Sequence, residues 1–256
     1  MSSISLASHQ TDAATDLASV SVIIPALNEE AALARLLPVL RPFDLGQVIV
    51  GDNGSTDATA QVARDAGAVV ITEPRRGYGA ACAAAMTALG PDCRVVAFLD
   101  GDMSDDPALL PAIVGPILGD RADLVIGCRD AAGRERGSMT APQRFGNWLA
   151  TRLMWLRWGY RYRDLGPFRA ISRDALDRMG MRDRAYGWTV EMQARALQMG
   201  LRIEQISVPY RRRVGRSKIS GTVRGVVLAG WYILTTLGRL AILPARDASR
   251  GPQRHE

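Results

Sequence analysis

Short apolar, β-branched runs alternate with helical stretches along the first half of the chain, and this alternation limits the possible folds more than any other feature. It is typical of βαβ units, in which successive strands lie parallel in one sheet. A chain of 256 residues has room for one ample core of this kind. We therefore expect an α/β fold with strands at Val20–Ile24, Gln47–Val50, Val69–Thr72, Val95–Leu99 and Leu124–Ile126.

Polar residues follow four of these strands, at the points where the strands end. The polar runs cover residues 25–29, 51–57, 73–79 and 100–102. Ligands of such sheets bind beyond the carboxyl ends of the strands. We therefore expect the four runs to meet at one crevice, which is the first place to look for a functional site.

Asp100-Gly101-Asp102 follows the fourth predicted strand, Val95–Leu99, so two carboxylates stand where that strand meets solvent. Crowded carboxylates repel each other, and a hard divalent cation relieves that repulsion while it also binds pyrophosphate oxygens. An isolated Asp-x-Asp is usually only a polar turn. Its position at a strand end favours a metal site here.

Six stretches carry a further signal through their order and spacing. They are residues 22–29 (VIIPALNE), 52–57 (DNGSTD), 76–79 (RGYG), 98–102 (FLDGD), 164–169 (DLGPFR) and 215–218 (GRSK). Together they resemble the family 2 glycosyltransferases, especially the dolichyl-phosphate mannosyltransferase and polyprenyl-phosphate glycosyltransferase branch. The resemblance implies a glycosyltransferase A fold, with a mostly parallel, Rossmann-like sheet flanked by helices in a single domain.

The same resemblance implies roles for particular residues. It places the nucleotide of a nucleotide sugar against Pro25, Asn28, Glu29, Asp52, Arg76 and Gly77. It also implies that Asp100 and Asp102 hold Mg²⁺ or Mn²⁺ on the donor diphosphate, with Asp102 required for catalysis. Asn28 and Asp52 have an alternative use as cap and turn residues. The branch often has Gln where this chain has Ser104, so the third metal ligand is open.

Charge is distributed unevenly along the chain. Residues 1–128 carry 7 basic and 16 acidic side chains, whereas residues 129–224 carry 21 and 8. An acidic half beside a basic half suits a protein that holds a metal at one place and phosphates at another. In the basic half, Arg213, Arg216 and Lys218 are candidates for phosphate binding. Nucleic-acid binding is not expected, because no familiar motif for it is present.

The sequence leaves several alternatives open for the acceptor and for the reaction class. The resemblance favours inverting transfer of a sugar from UDP-glucose or GDP-mannose to a polyprenyl phosphate, whose ionised oxygen needs no base. A hydroxyl acceptor would need a base, for which Glu191 and Asp164 are the candidates. A sugar nucleotidylyltransferase is less favoured, because its Gly-rich, basic amino-terminal signature is missing after the first strand. A catalytically silent binding module is the other alternative.

The remaining expectations concern domain limits and location. We expect a disordered tail (1–19), a glycosyltransferase domain (20–222), an apolar helix (223–243) and a polar tail (244–256). The domain divides into a nucleotide-sugar half (20–128) and an acceptor half (129–222). Only 14 uncharged residues lie between Arg224 and Arg239, whereas a bilayer crossing needs roughly 20. The helix is thus expected to lie on a membrane surface or to pack against the core or a second subunit.

Location and assembly follow from weaker signals. Three scattered cysteines argue against a disulfide framework, and residues 1–19 lack the pattern of a signal peptide. We expect a cytoplasmic protein, at the inner face of the membrane if its acceptor is a lipid. The oligomeric state is left open.

Overall fold

A computed structural model describes residues 16–130, 133–214 and 223–242, and describes only the backbone of residues 223–229 and 242. The described strands are β1 (Val20–Ala26), β2 (Gln47–Asp52), β3 (Val69–Thr72), β4 (Val95–Phe98), β5 (Leu124–Cys128), β6 (Arg169–Ser172) and β7 (Ile203–Ser207). The described α-helices are α1 (Glu30–Leu40), α2 (Thr59–Asp65), α3 (Tyr78–Met86), α4 (Leu110–Leu118), α5 (Ala141–Trp158), α6 (Arg173–Met179), α7 (Trp188–Gln198) and α8 (Val223–Ile242). Two short 3₁₀ helices lie at Arg41–Phe43 and Pro107–Leu109.

All seven described strands belong to one sheet, in the order β3-β2-β1-β4-β6-β5-β7. Strand β6 runs antiparallel to both of its neighbours, β4 and β5, and the other pairs are parallel. Its register sets Val96 opposite Ile171. The predicted mostly parallel α/β sheet is confirmed. Of the two strands beyond the five predicted above, β7 lies in a strand-like run, Ile203–Val208, and β6 is the strand that the prediction missed.

The core lies on both faces of this sheet because successive side chains of a strand point in opposite directions. On one face, Phe98 packs edge-on against Trp188 of α7, with ring centroids 6.1 Å apart. On the other face, Leu99 belongs to a cluster with residues of α1 and α4, among them Leu36 and Ile113. Each of these fully buried side chains contributes roughly 1.5–3 kcal/mol through burial.

The first two strands run further than the sequence predicts. Both β1 and β2 extend two residues past their predicted ends, and the added residues pair with each other as Pro25 with Gly51 and Ala26 with Asp52. The ends of these strands are set by pairing with a neighbouring strand, and the local sequence pattern does not show that pairing. Pro25 and Asp52 therefore lie inside strands and not in the loops that follow them.

Helix α8 packs partly on the core and is partly exposed. Leu237 and Leu240 are buried, and α8 contacts both α5 and α7. The Thr236 hydroxyl donates to Asp183 Oδ2 at 3.1 Å, which ties α8 to the loop before α7. Trp231 remains exposed. Within the described ranges, no helix has both the length and the apolar character that crossing a membrane requires.

Two glycines allow the start of α3 to approach the loop that precedes α7. A β-carbon on Gly77 would overlap the carbonyl oxygen of Arg184, and Gly77 also has a φ of +152°. A β-carbon on Gly79 would overlap the carbonyl oxygen of Asp183. The N–H of Gly79 donates to the carbonyl of Ala185 at 3.1 Å. These contacts fix one wall of the crevice described below.

We predict that Gly77→Ala lowers the free energy of unfolding by about 2 kcal/mol or more, since the new methyl group meets backbone that cannot move freely. Urea titration followed by circular dichroism measures the change. Gly146→Ala is the matched control, because nothing lies within 4 Å of a β-carbon added there. Equal stabilities of the two variants would contradict this account of Gly77.

Candidate active site

A crevice of about 330 Å³ lies at the carboxyl ends of β1, β2 and β4. Six residues selected from the sequence line it together: Pro25, Glu29, Arg76, Gly77, Asp100 and Arg213. The expected convergence of the strand ends is therefore observed. Arg213 reaches this crevice from the segment after β7, more than a hundred residues away in sequence.

Among the other lining residues, Asn53, Tyr78 and Tyr186 have polar side chains and were not predicted as site residues. The buried Asn53 amide holds the loop after β3, because its Nδ2 donates to the carbonyl of Glu73 (3.0 Å) and its Oδ1 accepts from the N–H of Gly77 (2.8 Å). Asn53 directly follows Asp52 in the polar run, so its position was a usable signal. Tyr186 precedes α7, and no local pattern indicated it.

Asn28 and Asp52 brace the crevice and are absent from its lining. Asn28 has a φ of +52°, and its Oδ1 accepts from the N–H of Thr56 at 2.7 Å. Asp52 is buried, and its Oδ1 accepts from the N–H of Ser55 at 3.1 Å. Asn28 does not cap α1, whose N-cap residue is Glu29. Asn28 joins the loop after β1 to the loop after β2, and Asp52 closes a turn within the loop after β2, which supports the alternative turn roles.

Negative charge is concentrated at the end of β4. Burial and, after it, the nearby charge of Asp102 together raise the pKa of Asp100 to about 6, although the hydrogen bond from Tyr78 opposes the shift. That bond joins Tyr78 Oη to Asp100 Oδ1 at 3.0 Å. Asp102 is buried and accepts from the N–H of Ser104 at 2.9 Å. The predicted acidic pair is therefore close enough to interact.

Asp105 adds a third buried carboxyl group to this region. Neither of its oxygens has a hydrogen-bond partner in the part of the chain that the structure describes. Burial raises its pKa well above the usual range, and the charge of Asp100 adds to the effect. This environment therefore favours the protonated form of Asp105, although the charge of Arg129 opposes the effect. The sequence showed it only as an extra acid beside Ser104.

Residues 210–214 form a strap across this acidic region. The N–H of Arg211 donates to the carbonyl of Ser104 at 2.8 Å, and that of Val214 donates to the carbonyl of Asp102 at 2.9 Å. Between these anchors, the Arg213 guanidinium forms an ion pair with the Asp102 carboxylate. Arg213 is therefore the counter-charge that the protein itself supplies to the predicted metal site.

The acidic region also fits a divalent cation. Nowhere in the described ranges do three His, Cys, Asp or Glu side chains come together as a metal cage. Mg²⁺, however, is usually bound by one or two carboxylates together with substrate phosphates and water. Asp100 lines the open crevice and the charge of Asp102 acts on it, so two carboxylates stand together there. The buried oxygens of Asp105 lie near them and lack hydrogen-bond partners within the described residues.

A second, larger pocket of about 600 Å³ is lined by four arginines together with two acids, an amide and four apolar residues. We call it the arginine pocket, after Arg129, Arg134, Arg144 and Arg163. Arg129 also stacks over the ring of Tyr210, 5.0 Å from its centroid. Its charge lowers the pKa of Asp100 against the effect of burial. The arginine pocket and the crevice are therefore neighbours: Arg129 lines the first, and its charge acts on Asp100 in the second.

Asp164 lies in the arginine pocket and is committed to Arg129. Its Oδ2 accepts from Arg129 Nε at 2.7 Å, and its Oδ1 accepts from Nη2 at 2.9 Å. Burial alone would raise the pKa of Asp164, but the charge and hydrogen bonds of Arg129 outweigh burial and hold it below the usual value. Asp164 is therefore an ionised group that orients Arg129.

Glu191 is fully buried and has no free carboxylate oxygen. Its Oε2 accepts from the N–H groups of Arg182 (3.0 Å) and Asp183 (2.6 Å), and its Oε1 accepts from Arg195 Nε (2.8 Å). It lines neither the crevice nor the arginine pocket. These contacts favour a structural role over that of a general base.

The three consecutive arginines after β7 have different partners. Arg211 pairs with Asp106 at 2.9 Å, Arg212 donates to the carbonyl of Arg136, and Arg213 reaches Asp102. The three arginines therefore do not face one common ligand. Arg216 and Lys218, also predicted to bind phosphate, lie outside the described residues.

Comparison with known proteins identifies the family. Residues 21–184 match the family model described as Glycosyl transferase family 2. An "uncharacterized glycosyltransferase" of Mycobacterium tuberculosis is 37% identical over 212 residues, which cover 82% of this chain and 94% of that protein. A dolichyl-phosphate hexose transferase of Haloferax volcanii is 30% identical over 211 residues, covering 82% and 90%.

Solved structures extend the likeness to the fold. Glucosyl-3-phosphoglycerate synthase from Mycobacterium tuberculosis, in complex with Mn²⁺, uridine diphosphate and glucosyl-3-phosphoglycerate, superposes with a TM-score of 0.72. It is 24% identical, and the match covers 91% of this chain and 84% of that one. The predicted glycosyltransferase A fold is thereby confirmed. With a family model over most of the sheet and relatives along nearly their whole length, the chain belongs to glycosyltransferase family 2 and is a glycosyltransferase.

Proposed function

We propose that the protein transfers a hexose, with inversion, from a nucleotide diphosphate sugar to a phosphate group, and that the acceptor is a polyprenyl phosphate. The observation that carries this proposal is the arginine pocket beside the acidic crevice. Two of its four arginines pair with its two acids, and Arg134 and Arg144 give it a net positive charge, which suits a phosphate. The dolichyl-phosphate hexose transferase among the relatives supports the lipid form of this acceptor.

The crevice is proposed to bind the donor, UDP-glucose or GDP-mannose. Glu29, Arg76 and Gly77 line it and offer polar contacts to a nucleotide. Asp100 and Asp102 would hold Mg²⁺ or Mn²⁺, which supplies neutralisation of the leaving diphosphate when bound. The Mn²⁺ and uridine diphosphate found in glucosyl-3-phosphoglycerate synthase support both the cation and the type of donor.

The acceptor side is proposed to work without a general base. Glu191 is buried with both oxygens engaged, and Asp164 is held by Arg129. A phosphate acceptor is already ionised near neutral pH, so its oxygen attacks without losing a proton, whereas a hydroxyl acceptor needs a base. Asp164 would then fix Arg129 for the acceptor phosphate. On this proposal, residues 20–128 supply the donor side and residues 129–222 supply most of the acceptor side.

A second candidate uses the same pocket with a small phosphorylated acceptor. The fold neighbour glucosyl-3-phosphoglycerate synthase binds phosphoglyceric acid, and four arginines would also hold the phosphate of such a molecule. In this case the sugar would pass to a hydroxyl. The two candidates therefore differ in the atom that attacks and not in the pocket that holds the phosphate.

An acceptor panel separates these possibilities. The protein is incubated with Mn²⁺ and radiolabelled UDP-glucose or GDP-mannose, together with polyprenyl phosphate, the corresponding polyprenol or phosphoglyceric acid. We expect a labelled product only with polyprenyl phosphate. Transfer to phosphoglyceric acid alone would establish the second candidate. Transfer to polyprenol as readily as to its phosphate would refute the proposed role of the arginine pocket.

We predict that Asp102→Asn lowers kcat by about a thousandfold or more, which corresponds to the several kcal/mol expected from loss of metal stabilisation. Release of nucleoside diphosphate under saturating Mn²⁺ measures the effect. Asp106→Asn is the control, because it removes the same charge four residues away and Asn also serves as an N-cap. A folded Asp102→Asn protein with near-normal metal-dependent turnover would refute the assignment.

We predict that Arg213→Gln increases the affinity of the nucleotide-free protein for Mn²⁺ by about threefold to tenfold, since a half-buried competing cation is removed from Asp102. The same variant should bind UDP or GDP more weakly in the presence of Mn²⁺. Calorimetric titration gives both affinities. Arg211→Gln, which loses a pair with Asp106 instead, should change neither. Unaltered or weaker Mn²⁺ binding in Arg213→Gln would show that Arg213 does not compete with the cation.

We predict that Arg144→Ala raises the KM for the phosphate acceptor by about tenfold or more, the effect of losing one charge-assisted hydrogen bond. The KM for the donor should stay within about twofold, because Arg144 lines the arginine pocket and not the crevice. Initial rates with each substrate varied in turn measure the two constants. Arg35→Ala on α1 is the matched control. A larger change in the donor KM than in the acceptor KM would reverse the proposed assignment of the pockets.

A further inference from the structure

Exposed apolar side chains are concentrated on two helices. Six large hydrophobic side chains are exposed in the described part of the chain, and five of them lie on α5 or α8. On α5, Phe145 is 61% exposed, Trp148 is 57% exposed and Leu156 is 65% exposed. Aromatic and aliphatic groups at such exposure, close together on one helix, indicate a binding surface and not scattered surface residues.

The exposed side chains of α5 form one continuous stripe. Phe145, Trp148, Arg152 and Leu156 follow each other at spacings of three or four residues, so they share one side of the helix. Met154 belongs to the opposite side and is fully buried. We call the stripe, with Arg144 and Trp155 at its edge, the outer face of α5. It points away from the core along most of the helix.

The outer face is also basic. Helix α5 contains Arg144, Arg152 and Arg157 and no acidic residue. The guanidinium groups of Arg152 and Arg161 lie 4.1 Å and 4.7 Å from the ring centroid of Trp155. A surface that interleaves exposed aromatic rings with arginines fits the headgroup region of an anionic bilayer, where rings enter the interface and arginines meet lipid phosphates.

We propose that the outer face of α5 binds the surface of an anionic lipid membrane. Charge repulsion argues against a second copy of the chain as the partner that covers the outer face. A two-fold contact through this face would set arginines of one helix against arginines of the other, with no acid on either helix to balance them. The sequence prediction assigned membrane contact to residues 223–243, whereas this proposal assigns it primarily to α5.

The position of the outer face suggests what a membrane contact there would do for the enzyme. Arg144, Phe145 and Trp148, at the start of the outer face, also line the arginine pocket. A phosphate carried on a lipid in that membrane would therefore meet the pocket without leaving the surface. This use rests on the proposed polyprenyl phosphate acceptor. The membrane contact itself does not depend on that acceptor.

Vesicle flotation of the full chain tests the proposal, with phosphatidylcholine vesicles with and without phosphatidylglycerol. We expect the wild type to float with the anionic vesicles. Phe145→Ser/Trp148→Ser and Arg152→Glu should each lower the partition coefficient by about tenfold or more. Val69→Ser and Arg64→Glu are controls, since they replace an exposed apolar residue by serine and reverse an exposed arginine charge elsewhere, and both should float like the wild type.

Three results would overturn the proposal. They are a wild type that does not float with anionic vesicles, outer-face variants that float as well as the wild type, and a stable dimer in light scattering that these variants convert to monomer. Nucleoside diphosphate affinity, measured on every variant, separates loss of the surface from loss of the fold. Flotation that depends on the outer face, without sugar transfer to polyprenyl phosphate, would uphold the membrane contact and refute the acceptor.

Discussion

Burial of negative charge at the end of β4 is the constraint on which the site depends. Asp102 and Asp105 are buried close to Asp100, which is half-buried at the crevice, and an unbalanced buried carboxylate costs several kcal/mol. The protein meets this cost by favouring protonation of Asp100 and Asp105 and by placing Arg213 against Asp102. A divalent cation would meet the same requirement. The strap therefore covers the acidic residues, and its Arg213 is the group with which a cation must compete for Asp102.

The antiparallel strand β6 explains why the crevice and the arginine pocket are adjacent. It enters the sheet between β4 and β5, so the acidic residues after β4 and Arg129 after β5 emerge at the same edge. Arg169, at the start of β6, is buried and donates to the carbonyls of Leu165 and Thr189. It thereby fixes the backbone beside Asp164, which in turn orients Arg129. A donor and an acceptor bound at the two pockets would face each other across this edge.

The sequence predicts the part of the site that follows consecutive parallel strands. Asp100 and Arg76 could be found because polar residues after apolar runs must converge at one edge of such a sheet. Local pattern could not reveal that Asn28 hydrogen-bonds to the loop after β2, because that partner is set by a tertiary contact. Nor could it decide between the two uses of Asp52, although its partner Ser55 lies only three residues away. The arginine pocket gathers residues from three separate segments, so only the excess of basic residues after position 128 indicated it. Strand β6 was missed because four residues paired antiparallel leave no periodic signal.

The central claim is that the acidic residues at the end of β4 hold a divalent cation together with a nucleoside diphosphate in the crevice. Anomalous diffraction at the manganese edge, from crystals grown with Mn²⁺ and UDP or GDP, tests it most directly. The account predicts one strong anomalous peak at bonding distance from a carboxylate oxygen of Asp100 or Asp102, with the diphosphate on its other side and Arg213 displaced from Asp102. A bound nucleotide whose diphosphate lies away from these carboxylates, with Arg213 still paired to Asp102 and no anomalous peak there, would contradict it.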